Sequence, residues 1–254
     1  MKRPAKQKSK AVVRAWLAEP MTPDVSDAID RLRRLHDVAH IAVLPDVHLA
    51  DKVCNGVALA TTSTLYPQAV GGDIGCGYAA VALDVDHAKL DEPAAGTLLT
   101  ELGAAVPIHR RAGPLDCPWL DAACATAGDG GPSRLLQKEA RHELGTLGRG
   151  NHFIEVQAAR DDGRLWLMVH SGSRCVGQAV LRLAIDRAAG TRFSLAYLHA
   201  DSTEGRAYLT ASAIARGFAA QNRLAILRAA CALLGEALSA RADWATLMHR
   251  DHNH

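Results

Sequence analysis

The segment HFIEVQAARDDGRLWLMVH, residues 152–170, contains two strand-like runs rich in apolar and β-branched residues. The turn sequence Arg-Asp-Asp-Gly lies between them, and this arrangement predicts a β-hairpin. A register in which Ala159 pairs with Gly163 places His152 directly opposite His170. The Cβ atoms of residues paired in this way lie about 5 Å apart. The hairpin therefore predicts that two imidazoles meet at its open end.

A glycine-rich loop, VGGDIGCG at residues 70–77, carries a carboxylate and a thiol three residues apart. Glycine lets the backbone approach a ligand closely, while Asp73 offers a hard oxygen and Cys76 a sulfur that binds metal as a thiolate. Alone, such a pair is more often a turn-forming aspartate and a small buried thiol than a metal site. Together with His152 and His170 it forms a donor set suited to a divalent transition metal.

The segment MHRDHNH, residues 248–254, is dense in polar ligating groups. Within it, His252 beside Asn253 would suit a second ion that shares Cys76 and Asp73. Paired metal ions stabilise displacement reactions at phosphorus. These residues favour a two-metal site, but they do not by themselves identify its substrate.

The composition is that of a folded protein of 254 residues, with 48% hydrophobic and 22% charged residues. The net charge of +2 gives no global excess of positive charge, so any phosphate-binding surface must be local, with Arg149 and Arg174 as candidates. Six irregularly spaced cysteines favour a reducing compartment. The sequence shows neither a signal peptide nor an apolar window of about 18 residues. We therefore predict a soluble, cytoplasmic protein without membrane contacts.

The chain is interpreted as a basic N-terminal tail and lead-in, residues 1–20, followed by a single domain over residues 21–254. A helix is predicted from Ser26, and a short strand over His40–Leu44 that Pro45 stops. A long helical pattern covers residues 202–240, with a possible break near Gly217. Asn222 lies on its apolar stripe and would need a hydrogen-bond partner.

The predicted fold class is α+β. The glycine-rich loops and the 152–170 hairpin indicate mixed sheet layers that carry the metal site, and the long helical pattern indicates helices packed outside them.

Six segments occur in the order found in the RtcB family of RNA-splicing ligases, and together they make the resemblance specific. The segments are Pro45–His48, Val70–Gly77, Gly148–Glu155, His170–Arg174, Tyr208–Arg223 and His252–Asn253. They extend over most of the chain. The resemblance implies an RtcB-like domain.

The resemblance implies a ligase that depends on Mn²⁺ and GTP and acts in RNA repair or tRNA splicing. Such an enzyme joins RNA ending in a 2′,3′-cyclic phosphate or 3′-phosphate to RNA beginning with a 5′-hydroxyl, through guanylylated intermediates. Some relatives require an activating partner protein.

The same resemblance implies residue roles. Cys76 would bridge two Mn²⁺ ions, with His152 and His170 completing one site and Asp73 and His252 completing the other.

Nucleotide and phosphate contacts follow from the resemblance in the same way. Asn151 and Asn253 would contact phosphate groups, and Glu155 would recognise guanine. The family's guanylate-accepting histidine lies in a segment beyond the histidine–asparagine pair, and no residue of this sequence is assigned to it. These residues are therefore expected to belong to a longer ligase or to a shortened relative.

Two other function classes stay open at this stage. One is a metal-dependent phosphoesterase that uses the same two-metal site with water as the nucleophile. The other is a non-catalytic protein that binds metal and RNA ends.

Overall fold

The computed structural model describes residues 11–254. Its strands are β1 (Val12–Ala15), β2 (Val38–Ala50), β3 (Val53–Thr61), β4 (Thr64–Leu65), β5 (Gly77–Asp86), β6 (Phe153–Ala158), β7 (Arg164–Ser171), β8 (Gly190–Arg192), β9 (Leu195–His199) and β10 (Ala242–Asp251). Its helices are α1 (Pro23–Leu32), α2 (Pro67–Val70), α3 (Glu92–Ala105), α4 (Pro118–Ala127), α5 (Arg134–Glu143), α6 (Cys175–Asp186) and α7 (Thr203–Leu238). The predicted α+β class is confirmed. Among the described residues, none of the helices combines the length and apolar character needed to cross a membrane.

The chain divides into two compact units. Of the described residues, the first unit comprises 11–71 and 183–206, and the second comprises 72–182 and 207–254. The single domain over residues 21–254 stays a prediction. Residues 1–10 of the predicted tail and lead-in lie outside the described residues, and Val12–Ala15 form β1, which pairs with β2 in parallel.

In the first unit, α1 packs its apolar side against the sheet β1–β2–β3. Ile29, Leu32 and Ile41 are buried in one cluster. The helix begins at Pro23 rather than at Ser26, because a proline in the first turn has its φ angle already set for a helix. The burial of this face agrees with the apolar spacing of the sequence.

The strand predicted over His40–Leu44 is longer than expected, and Pro45 does not stop it. β2 continues to Ala50, and its ladder with β3 is irregular between Val43 and His48. Proline lacks an N–H group and is tolerated where a ladder is interrupted in this way. The irregularity therefore lets the strand pass through the proline.

The second unit is built on an antiparallel sheet of order β10–β5–β7–β6. Alternate side chains of β5 and β7, including Val81, Leu167 and Val169, point to one face and are buried against Ile226 and Leu234 of α7. α7 runs without a break past Gly217, where the sequence allows one. The long helical pattern is confirmed, and it covers one face of this sheet.

The 152–170 hairpin forms, but its register differs by one residue from the predicted one. Phe153, not His152, pairs with His170. The N–H of Ala159 donates to the carbonyl of Arg164, so the turn contains four residues instead of three. Because side chains alternate along a strand, this shift changes which residue shares a face with His170.

One carboxylate in the first unit closes the turn between β3 and β4. Asp37, at a φ of +68°, accepts hydrogen bonds from the backbone N–H groups of Thr62, Ser63 and Thr64 at 3.1, 2.6 and 2.8 Å. Burial alone raises the pKa of Asp37, but these bonds and one from the Thr62 hydroxyl outweigh it and hold the pKa well below its usual range.

Asp37→Ala is expected to lower the free energy of unfolding by about 1–3 kcal/mol at neutral pH. A group whose pKa is lower in the folded state stabilises the fold above its unfolded pKa, which is about 3.9. The difference between wild type and variant should therefore shrink as the pH falls below about 4. Urea unfolding across pH measures it. Asp51→Ala, at an exposed turn position, is the control. A difference that stays constant down to about pH 2 would contradict the assignment.

Candidate metal centre

The loop before β5 brings Asp73 and Cys76 next to the end of β10. The N–H of Cys76 donates to the carbonyl of Asp73 at 3.1 Å, which closes a tight turn. The segment after β10 continues alongside this loop, because the N–H of His252 donates to the Cys76 carbonyl at 2.9 Å. The side-chain amide of Asn253 also donates to the Asp73 carbonyl, at 2.8 Å. Residues almost 180 positions apart in the sequence are thus held together by backbone pairing.

The two histidines of the hairpin face the Cys76 sulfur with the same ring nitrogen. His170 Nε2 lies 3.1 Å from Cys76 Sγ, and His152 Nε2 lies 3.5 Å from it. On the other side of each ring, Nδ1 is 2.9 Å from a carbonyl oxygen, that of Asn151 for His170 and that of Leu147 for His152. A carbonyl only accepts, so each Nδ1 carries a proton and donates. In the neutral rings Nε2 is then the unprotonated nitrogen, as metal ligation requires.

The described donor atoms form two overlapping groups that share Cys76. One is Cys76, His170 and His252, and the other is Asp73, Cys76 and His152, with the ligand atoms of each group all within 4.8 Å of one another. His170 and His252 Nε2 lie 3.2 Å apart, and His152 Nε2 lies 2.8 Å from Asp73 Oδ2. All five residues predicted as ligands are therefore brought together.

The histidines are distributed differently from the arrangement that the resemblance implied. His152 lies with Asp73, and His170 lies with His252, whereas His152 with His170 and Asp73 with His252 were expected. The hairpin register gives the reason. Because Phe153 pairs with His170, His152 lies one residue beyond the ladder. The rings of His152 and His170 nevertheless remain neighbours, with centroids 5.4 Å apart.

The donor set fits a divalent cation. Two ligands at about 2.0–2.3 Å from one ion are separated by roughly 3–4 Å, which is close to the separations within each group. The contact between His152 Nε2 and the Asp73 carboxylate also needs a positive centre, either a proton or a metal ion, because both atoms are acceptors in their basic forms. Imidazole, thiolate and carboxylate ligands together suit a transition metal.

Burial and neighbouring charges set the protonation of these groups. Burial raises the pKa of Cys76, and the Asp73 carboxylate raises it further. Burial alone also raises the pKa of Asp73, but hydrogen bonds with His152 and Cys76 lower it on balance. Burial lowers the pKa of His170. A metal ion must therefore displace a proton from the thiol, but finds the His170 imidazole neutral.

Tyr78 completes the wall around His170, and sequence reasoning missed it. The two residues are paired on β5 and β7, and their rings stack with centroids 4.4 Å apart and an interplanar angle of 17°. Phe153 approaches the same imidazole at 5.4 Å. No motif marks Tyr78. The available signal was its position directly after Gly77, the last residue of the glycine-rich loop.

The three residues predicted to bind nucleotide or phosphate differ in their surroundings. Asn151 is exposed, and its carbonyl is the acceptor for His170. Glu155 is exposed on the edge strand β6, two residues from Phe153 and hence on the same face of the sheet. Asn253 is partly buried against the Asp73 backbone. All three lie on the segments that carry metal ligands.

Of the arginines considered as phosphate contacts, Arg149 is exposed and Arg174 is engaged inside the unit. Arg174 donates to the Thr146 hydroxyl at 3.0 Å and to the Ile108 carbonyl at 3.2 Å. Its side chain thus already has protein partners.

The known proteins whose sequences are similar to this chain belong to one family. The family profile described as "tRNA-splicing ligase RtcB" matches residues 29–126 and 121–254. The chain is 35% identical over 213 residues to the RNA-splicing ligase RtcB of Escherichia coli strain K12, covering 74% of this chain and 52% of that protein. It is 30% identical over 238 residues to the tRNA-splicing ligase RtcB of Archaeoglobus fulgidus, covering 71% of this chain and 49% of that protein. The chain spans about half the length of these relatives.

Removing the shared sulfur should disrupt both donor groups at once. Calorimetric titration of the wild-type chain with Mn²⁺ is expected to detect two sites, and Cys76→Ala should abolish both. His252→Ala should weaken one site and leave Asp73, Cys76 and His152 able to bind the other ion. Cys231→Ala, a thiol on α7 outside both groups, is the matched control. Two intact sites in Cys76→Ala would overturn the bridging assignment.

Metal affinity should rise with pH. Because burial raises the pKa of Cys76, the thiol is protonated before binding, and forming the one shared thiolate releases its proton. We expect the apparent Mn²⁺ affinity to increase from about pH 6 to about pH 8. Titrations in two buffers of different ionisation enthalpy measure the released protons. Binding without proton release would contradict ligation by the thiolate.

Proposed function

The chain belongs to the RtcB family of RNA-splicing ligases, and from this premise we propose that it carries the metal-binding part of an RNA ligase that depends on Mn²⁺ and GTP. The reaction joins RNA ending in a 2′,3′-cyclic phosphate or 3′-phosphate to RNA beginning with a 5′-hydroxyl, by way of guanylylated intermediates. One observation carries the proposal, the convergence of five family-motif residues on two donor groups that share one sulfur: Asp73, Cys76, His152, His170 and His252.

Two Mn²⁺ ions are proposed for these groups. Bound there, Mn²⁺ would orient the phosphates and offset the negative charge that builds at phosphorus. The protein residues hold the geometry: Cys76 supplies the shared sulfur, and His152 and His170 present Nε2 because their Nδ1 atoms are held by carbonyls. The Asp73 side chain is 38% exposed, and His252 is also exposed, so each donor group has a ligand that is accessible to an RNA end.

Nucleotide and phosphate binding is proposed for the residues next to the ligands. Glu155 is an exposed acceptor, and the Watson–Crick edge of guanine offers two N–H donors that a carboxylate can accept together. The exposed amide of Asn151 can donate to a phosphate oxygen. Asn253 uses one N–H to hold the Asp73 carbonyl, and an amide nitrogen has a second that can donate to phosphate.

A labelled RNA with a 3′-phosphate tests the proposal directly. In Mn²⁺, it should bind the chain more tightly than the same RNA with a 3′-hydroxyl, because only the first RNA carries a terminal phosphate group whose anionic oxygens can ligate the ions. Cys76→Ala should remove this preference, whereas Cys231→Ala should keep it. Equal binding of both RNAs by the wild-type chain would contradict recognition of the phosphate end.

The same RNA, incubated with GTP and a 5′-hydroxyl RNA, distinguishes the function classes. A joined product supports the ligase. Release of phosphate without joining would instead support a metal-dependent phosphoesterase. Mn²⁺-dependent binding without either product would assign RNA-end recognition, but not the joining step, to these residues.

A further inference from the structure

Two adjacent polar residues lie fully buried in the middle of α7. Asn222 is 0% and Arg223 is 2% exposed, although the neighbouring turns of the helix bury apolar side chains such as Phe218 and Ile226. Burying a guanidinium or an amide is unfavourable unless hydrogen bonds compensate. Their partners therefore indicate what this part of the helix does.

Arg223 holds together the three segments that carry the first donor group. Its Nη1 donates to the carbonyls of Gly75 at 2.6 Å and Ser171 at 2.9 Å, and its Nε donates to His249 Nε2 at 3.0 Å. Gly75 directly precedes Cys76, Ser171 directly follows His170, and His249 lies on β10 three residues before His252. One guanidinium thus contacts the neighbourhood of every ligand in the group Cys76, His170 and His252.

Asn222 holds the segment that orients His152. Its Oδ1 accepts from the N–H of Gly145 at 2.7 Å, and its Nδ2 lies 3.1 Å from both the Thr146 carbonyl and the Ser171 hydroxyl oxygen. The same Nδ2 is 3.2 Å from the Gly172 carbonyl.

A short chain of bonds connects this amide to the imidazole. The Ser171 hydroxyl donates to the Leu147 carbonyl at 2.8 Å, and that carbonyl also accepts from His152 Nδ1 at 2.9 Å. Asn222 is therefore two hydrogen bonds away from the acceptor that sets the orientation of His152.

We propose that Asn222 and Arg223 are positioning residues for the metal centre, with Arg223 fixing the Cys76–His170–His252 group and Asn222 fixing His152 in the other group. This rests on the proposed metal-binding function. A helix that only covered the sheet could use apolar side chains here, as α7 does at Leu227 and Leu234. The polar pair instead contacts the segments that carry the ligands.

Metal titration of matched arginine variants tests this. Arg223→Met removes the guanidinium, and Arg228→Met makes the same change at an exposed position on α7. Loss of a residue that orients ligands typically weakens metal affinity about 10- to 100-fold, and we expect this for Arg223→Met but not for Arg228→Met. Arg223→Lys should not restore the affinity, because an ammonium lacks the planar fork of donors.

The variant Asn222→Asp tests the two donor groups separately. The aspartate keeps an acceptor for the Gly145 N–H but loses the amide donor. We expect the ion held with His152 to bind about 10-fold more weakly or worse, and the other ion to be less affected. Co²⁺ used as a probe adds a second readout, since its thiolate charge-transfer and visible bands report sulfur ligation and geometry, which a packing defect elsewhere would not move.

Each outcome separates positioning from the function on which it rests. If the wild-type chain binds neither Mn²⁺ nor Co²⁺, the proposed function fails. If the wild type binds two ions and folded Arg223→Met and Asn222→Asp bind them with unchanged affinity and unchanged Co²⁺ spectra, the positioning proposal is wrong and the metal centre stands. A lower melting temperature with wild-type affinity is the same negative result. If Arg223→Met does not fold, Arg223→Lys and Asn222→Asp decide by the same criterion.

Discussion

Gly77 is the point on which the geometry of the metal centre depends. It pairs with Asp251 of β10 on one side and with Ser171 of β7 on the other. The ligands adjacent in sequence to these three paired residues are Cys76, His252 and His170. Neighbouring strands lie about 4.8 Å apart, so side chains at such matched positions can share one ion. The close approach of β10 requires glycine, because a Cβ at residue 77 would lie 2.2 Å from the Arg250 carbonyl oxygen.

At the ends of these strands, buried backbone carbonyls need hydrogen-bond donors, and two side chains of α7 supply them. Where a ladder ends, carbonyls lose their strand partners, and a buried carbonyl without a donor is unfavourable. Arg223 supplies donors to two such carbonyls, and Asn222 donates to others in the same region. Farther along the same helix, apolar side chains pack against the other end of the sheet. One helix therefore both covers the core and satisfies the irregular backbone that the metal ligands need.

The sequence was most informative where local chemistry decides structure. The apolar periodicity predicted α7, and it predicted that Asn222 needs a hydrogen-bond partner. The turn sequence predicted the hairpin, but the predicted register was wrong by one residue. Turn length depends on backbone angles, here on Gly163 at a φ of +70°, and both three- and four-residue turns were compatible with the sequence. The position of Tyr78 after the glycine-rich loop was a local signal, but its stacking on His170 depends on the pairing of distant strands, which that signal does not specify.

The arrangement of ligands favours a reactive centre over a purely structural one. Structural zinc sites are closed by four protein ligands, whereas catalytic sites keep a position for water or substrate. Here each donor group offers three protein atoms, one of them shared, and each includes one accessible ligand, His252 in one group and the partly exposed Asp73 in the other. His170 and Arg223, by contrast, are buried. Each donor group is therefore accessible through one ligand, as a centre that takes up a phosphate substrate needs.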